Sequence, residues 1–341
     1  MLKLNMYAKN ELINMLLRLN PKLDFNYRIY LAKPKIHTEK IFILKDIESL
    51  FYKSFNLTNH LNWTNELHDS DFILIPHLWN DIKNDKEYLR YLRELSKSRT
   101  LVIFNIGDES GDIKLKNFIQ LKNFIHPWQT RLNTIIIPYN VRARNFVPRA
   151  WKRIPDVSFV GFYPNLSGRA FLSFSPKSLF KPIKSSVYFN RNIGIKRLEN
   201  FSHKIQVKLL LNNNYAAFSG NSEAELQIKS FNQSLAMTDY VFCPRGFGNG
   251  SMRLYEVLSA GRIPIIPETD SAFPLTEIDP FFTHSALIVK YFSNWEKNIL
   301  NHWEALEYKY DNLQNDNYQF YKNHLDIENY LGKLFLPYLN V

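Results

Sequence analysis

The chain has 341 residues, 45% hydrophobic and 15% aromatic, which excludes a disordered polymer and supplies cores for about two domains at ~100–200 residues each. Its formal net charge of +11 suits an anionic ligand or peripheral contact with an anionic membrane; the basic residues are scattered without a helix-turn-helix, zinc-finger or RNP pattern, so nucleic acid is set aside. The lone cysteine, Cys243, excludes an internal disulfide framework and fits a reducing, cytoplasmic location.

The first residues, "MLKLNMYAKNELINMLLRLNPK", are amphipathic and lack the continuous apolar core and small-residue cleavage site of a signal peptide. The longest apolar runs, "FILIP" and "TIIIP", are strand-sized rather than membrane-sized. Strands are expected at 40–46, 70–79, 100–112 and 133–140. Residues 80–98 place Tyr88, Leu89, Leu92 and Leu95 at helical spacing. Strands alternating with helices predict a parallel sheet. The basic stretch "VRARNFVPRAWKRIPD" (141–156) reads as a linker or surface segment.

A second α/β half then opens with "VSFVGFY" (157–163). "KIQVKLLL" (204–211) reads as a strand or a buried helix. "YVFCP" (240–244) and "RIPIIP" (262–267) read as buried strands, with "SALIVKY" (285–291) as one more. Residues 294–314 and the tail 317–339 read as helical, the tail offering Phe320, Leu325, Ile327, Tyr330 and Leu331 for packing. The domain expectation is 1–150, 151–316 and a C-terminal helical segment 317–341.

The densest chemistry lies in "CPRGFGNGSMRLYEVLSAGRIPIIPETD", Cys243 to Asp270. It reads as strand, glycine turn (Gly246, Gly248, Gly250) and helix, with Ser251 as N-cap or in the first turn, Leu254, Val257 and Leu258 on the buried side, and Gly261 past the last turn. A helix N-terminus is already partly positive, so Arg253 in its first turn and Arg245 across the turn have the wrong sign unless an anion binds there. A diphosphate would accept the backbone N–H groups, the Ser251 hydroxyl and the guanidinium forks. Glu256 shares a helical face with Arg253; it is either a local ion-pair partner or an acceptor for ribose hydroxyls. A P-loop is excluded because no Lys follows the turn, and the dinucleotide fingerprint fails because position 251 is Ser rather than Gly.

The same stretch resembles the signature of exostosin-like glycosyltransferases (family 47), matching at Pro244, Arg245, Gly246, Gly250, Ser251, Arg253, Glu256, Gly261, Ile263, Pro264, Ile266 and Asp270. "SFNQSLAMTDYVFCP", "VSFVGFYPNLSGR" and "SDFILIPHLW" share the family's look, and the clear resemblance covers roughly residues 157–292. It implies a GT-B-like α/β fold, with Rossmann-like acceptor and donor domains facing a cleft and a final helix crossing back to the first. It also implies an inverting, metal-independent transferase moving a sugar from a nucleotide-diphosphate donor to a glycan or polysaccharide acceptor, with no cofactor. Arg245, Gly246, Gly250, Ser251 and Arg253 would hold the donor diphosphate, Glu256 the ribose, and Arg169 would assist.

Inversion needs a general base near the acceptor hydroxyl. Asp108 and Glu109, with Asp112 beyond them, follow the strand "TLVIF" at its carboxyl end. Asp108 is the first choice; His77 after "FILIP" and Glu109 are the others. "DSD" at 69–71 mimics a metal motif but precedes its strand, so no metal is expected there. A non-catalytic subunit of the same fold and a nucleotide-sugar epimerase stay open as alternatives.

Overall fold

The structure, a computed structural model, describes residues 29–31, 63–64, 72–106, 113–125, 133–141, 143–163, 187–212, 222–246, 250–267, 285–290, 293–327 and 329–330. Contacts divide the chain into one unit of Met1–Tyr139 with Asp326–Val341 and another of Asn140–Leu325.

In the first unit the strands are β1 (Ile29–Leu31), β2 (Trp63–Thr64), β3 (Phe72–Leu78), β4 (Thr100–Phe104), β5 (Phe118–Lys122) and β6 (Thr134–Ile136). They form a parallel sheet in the order β2-β1-β3-β4-β5-β6. Two helices follow β3, α1 (Trp79–Ile82) and α2 (Lys86–Ser98). Asp85 caps α2 by accepting from the amides of Glu87 and Tyr88. The expected stripe packs Tyr88, Leu92 and Leu95 against Ile73, Ile75, Leu101 and Ile103. The run 40–46 lies outside the described residues.

Strand β5 was not expected, although the alternation in "FIQLK" is a strand signal; that alternation would put Gln120 and Lys122 on a solvated face. All of Ile119, Gln120, Leu121 and Lys122 are nonetheless buried. Gln120 is accommodated by a buried amide ladder. Asn105 Nδ2 donates to Gln120 Oε1 at 2.8 Å, and Gln120 Nε2 donates to Thr134 Oγ1 at 2.8 Å. Satisfied polar groups can therefore occupy a two-sided parallel core. In the tail, the Tyr330 hydroxyl donates to the Ile136 carbonyl at 2.9 Å, within this same unit.

The second unit contains β7 (Asp156–Phe162), β8 (Gln206–Asn212), β9 (Tyr240–Phe242), β10 (Ile263–Pro267) and β11 (Leu287–Val289). These strands are parallel, in the order β11-β10-β9-β7-β8. The helices are α3 (Val187–Glu199), α4 (Ser222–Met237), α5 (Met252–Ser259), α6 (Trp295–Glu304) and α7 (Tyr310–Phe320), with a π-turn at Tyr321–Leu325. Alternation along β7 and β9 splits the core into two faces. Phe159 and Phe242 pack with Ile195 of α3 and with Trp295 and Trp303 of α6. Val160, Val241 and Cys243 pack with Phe231 of α4 and Val257 of α5. Helices therefore cover both sides of this sheet, as right-handed crossovers require when strand order reverses.

The segment expected to be a linker is part of the second unit's packing. Trp151 stacks on Trp303 at 5.9 Å between centroids, and Phe146 on Tyr318 at 5.0 Å. Arg262 donates to the Val147 carbonyl at 2.6 Å. These contacts draw residues from Asn140 onward into the second unit, where the sequence suggested a boundary at 150. Helix α7 is drawn in likewise, by Gln314 and Asn317 bonding to Arg149 and Arg262. Among the described residues no helix is long and apolar enough to cross a membrane.

Candidate functional site

The strand order of the second unit determines where a ligand can approach. From β7 the chain moves outward to β8, then returns past β7 to β9, β10 and β11. The order reverses between β7 and β9, and open parallel sheets bind ligands beyond the carboxyl ends of strands at such a switch point. The carboxyl end of β9 leads into Cys243-Pro244-Arg245-Gly246, and α5 leads away after Gly250-Ser251. The glycine turn therefore lies at the switch point.

Its closure is visible in one bond: the Gly246 amide donates to the Gly250 carbonyl at 2.7 Å. Ser251 is the N-cap by backbone geometry (φ −138°, ψ 114°), yet its side chain makes no capping bond. Its hydroxyl is thus left for another acceptor or donor, beside a helix N-terminus whose first amides lack intrahelical partners. The far end of α5 is a Schellman motif. Gly261 (φ +69°) donates to Leu258, and Arg262 donates to Val257. A Cβ at Gly261 would lie 2.5 Å from the Phe146 ring, so glycine is needed there for space as well as for its backbone.

Arg245 is 4% exposed, with Nε 3.4 Å from the Gly246 carbonyl. Arg253 reaches across the end of β7. Its Nη2 donates to the Val160 carbonyl at 2.6 Å, and its guanidinium lies over the rings of Phe159 (4.6 Å) and Phe231 (5.4 Å). Those rings belong to opposite faces of the sheet, so Arg253 spans its top. Gly161 makes room for it: a Cβ there would stand 2.6 Å from Arg253 Nη2. Glu256 takes Arg144 as its ion-pair partner, through Nη2 and Oε1, from the segment ahead of β7. The local pairing with Arg253 that the spacing allowed is replaced by this long-range one.

Arg144 and Arg191 were not identified from sequence. The Arg191 guanidinium donates to the Phe162 carbonyl at 3.1 Å, two residues along β7 from the carbonyl held by Arg253. Arg144 was hidden in a run that reads as a linker. The available signal was the aromatic content of that run, since Phe146 and Trp151 are poor linker residues and good packing ones. Among the described residues Arg144, Arg191, Arg245 and Arg253 thus gather near the switch point with Glu256, a positive local balance. Such a site can hold a polyanion with charge-assisted bonds from guanidinium groups and backbone amides.

Cys243 adjoins the turn but is no nucleophile. Burial pushes its thiol far above the ordinary range, and Sγ donates to the Val241 carbonyl at 3.4 Å. His77 is in β3, near that strand's carboxyl end, with its side chain outside the described residues. Asp108, Glu109, Asp112, Arg169, Glu268 and Asp270, and the "DSD" segment at 69–71, also lie outside the described residues.

No family model matches the chain, and no curated protein matches it. Among solved structures, one of TarM aligns with a TM-score of 0.35 and 9% identity, covering 74% of this chain. The chain spans 57% of TarM's own length. At that level of likeness the fold is read from strand order and packing instead.

Proposed function

We propose that this protein is a glycosyltransferase that moves a sugar from a nucleotide-diphosphate donor to a glycan or polysaccharide acceptor with inversion. The observation that carries this reading is the closed glycine turn at the β7/β9 switch point. It adjoins the N-terminus of α5 and is flanked by Arg245 and Arg253. The likeness of Cys243–Asp270, the same stretch, to the exostosin-type signature supports it from sequence.

In this reading Arg245, Arg253, the Ser251 hydroxyl and the Gly250 amide bind the diphosphate, Gly246 lets the backbone approach it while its own amide closes the turn, and Glu256 accepts from the ribose. Arg191 joins them, and Arg169 is carried as a further donor contact from sequence. The acceptor hydroxyl attacks the anomeric carbon, the bond from that carbon to the diphosphate oxygen breaks, and a base takes the hydroxyl proton. The charge arriving on the diphosphate is met by guanidinium groups and the helix N-terminus, so the reading assigns no metal. Asp108, with His77 and Glu109 as the other choices, is proposed as the base from its place after β4 in sequence.

The test is a thermal-shift screen of the full chain against nucleoside diphosphates and nucleotide sugars. A ligand at 100 times its Kd stabilises the folded state by about 2.7 kcal/mol. At least one should raise the melting temperature, and Arg245→Ala should weaken it about tenfold or more, in line with a charge-assisted bond. No shift across the panel overturns the reading. Slow release of nucleoside diphosphate from the bound donor, without acceptor, identifies a transferase. Binding without release points to the non-catalytic subunit, and isomerisation of the sugar to the epimerase.

A further inference from the structure

Arginine and carboxylate usually meet as two forks, with both carboxylate oxygens engaged. The Arg144–Glu256 pair does not. Nη2 of Arg144 engages Oε1 of Glu256. Among the described residues, no hydrogen bond reaches Oε2, and Nε of Arg144 is buried without a partner. The pair is also well shielded, the side chains being 16% and 18% exposed.

Arg144 is itself fixed at several points. Its amide donates to Ser259 Oγ at 3.0 Å, and that hydroxyl donates to the Glu256 carbonyl at 2.8 Å. Its guanidinium lies 5.8 Å from the Phe231 ring centroid, the ring that Arg253 also covers. Two residues on, Phe146 is held against Gly261 and Tyr318. A carboxylate gripped by one oxygen has its rotation restricted and its other oxygen presented in a defined direction. Shielded ion pairs contribute little net stability relative to apolar groups of the same size, so a one-armed pair beside a polyanion site is better explained by orientation.

We propose that Arg144 is a positioning residue for the nucleoside end of the donor: it holds Glu256 by one oxygen so that the other accepts the ribose 2′-hydroxyl. This rests on the nucleotide-sugar reading above. It extends that reading by assigning selectivity for ribonucleotides over deoxyribonucleotides to a residue that does not touch the ligand.

The test compares, by calorimetry on the full chain, a ribonucleoside diphosphate that binds in the thermal-shift screen with its 2′-deoxy counterpart. Wild-type protein should bind the ribo form about tenfold or more tightly, the size expected for one bond to a carboxylate. Arg144→Ala should bring that ratio close to one, as should Glu256→Gln, while affinity for the deoxy form changes little. Arg144→Lys, which retains charge and most of the stem, should recover part of the ratio and covers the case in which the alanine variant does not fold. A purely structural role would lower stability and weaken both ligands together, leaving the ratio intact; that result overturns the proposal. Equal wild-type affinities also overturn it while leaving the donor reading standing. Absence of binding by any nucleoside diphosphate removes the donor reading, and this proposal with it.

Discussion

The two edges of the sheet in the second unit use arginine in opposite ways. At the amino edge, Arg149 bonds Asp239 at 2.9 Å and Asp156 at 2.6 Å, and Lys152 also pairs with Asp156. Asp239, fully buried, accepts from Tyr310 at 2.8 Å and from the Asp156 amide at 2.8 Å. Arg262, 1% exposed, divides its donors among the Leu235 and Val147 carbonyls and Gln314 Oε1. Burial depresses the Arg262 pKa; at Arg149 burial pulls the same way, but Asp239 and Asp156 outweigh it and the pKa rises. At the carboxyl edge, Arg253 and Arg191 bond to backbone carbonyls of β7, and the nearby carboxylate, Glu256, is taken by Arg144. The lesson is that arginine content does not mark a site. Partners do: at the amino edge Arg149 is held by two buried carboxylates, and Arg262 has its donors taken by two carbonyls and an amide. At the carboxyl edge the guanidinium groups outnumber the one carboxylate among the described residues, which suits an anion from outside.

The comparison can be broken from either side. Asp239→Ala should have the largest effect, because it leaves Arg149 with Asp156 as its one carboxylate and strands the Tyr310 hydroxyl and the Asp156 amide that Asp239 now accepts from. Losing one partner of a buried pair costs about 3–5 kcal/mol, measurable as a lower urea midpoint. Nucleoside diphosphate affinity, measured well below the transition, should stay unchanged; a matching loss of affinity would dissolve the distinction between the edges. Gly161→Ala acts at the opposite edge. Its methyl would stand 2.6 Å from Arg253 Nη2, and overpacking of this kind costs about 1–3 kcal/mol. Here the affinity should fall about tenfold, in line with displacing a charge-assisted donor, and unchanged affinity would remove Arg253 from the site.

The smallest effect concerns His302, behind β9, whose Nδ1 is 2.7 Å from the Tyr240 hydroxyl. Burial lowers its pKa below 6.5. The unfolded chain therefore binds a proton that the folded protein refuses, so stability falls as pH drops below about 6.5 and levels off once the folded ring also titrates. Replacing it with Gln keeps a polar partner for Tyr240 and should flatten that part of the stability–pH curve. An unchanged curve would place the titration elsewhere.

Local patterns were readable from sequence wherever one element determines its own shape. Helix α5 is such a case: its N-cap Ser251, its buried Leu254, Val257 and Leu258 and its terminal Gly261 are all local signals. The helices near the end were readable in outline, though the expected run 294–314 is divided into α6 and α7 by a turn that lets Trp303 meet Tyr310 edge-on at 4.7 Å. Pairings over long separations were not readable. Glu256 and Arg144 are 112 residues apart and Arg253 and Val160 are 93 apart, and spacing on one helix carries no trace of either. Helix α3 was missed as well. Its sequence "VYFNRNIGIKRLE" has no clean apolar stripe, and it holds its place by packing Ile195 and Leu198 onto the sheet.

The amide ladder of the first unit has a consequence for uniqueness. In a two-sided parallel sheet built from Ile, Leu and Val, sliding one strand by two residues puts similar side chains back on the same faces at little cost. Asn105, Gln120 and Thr134 remove that degeneracy. Any slip of β5 against β4 or β6 would strand buried amides that now satisfy one another. A few polar atoms in line therefore act as an alignment pin, selecting one pairing among several that greasy residues alone would leave nearly equal.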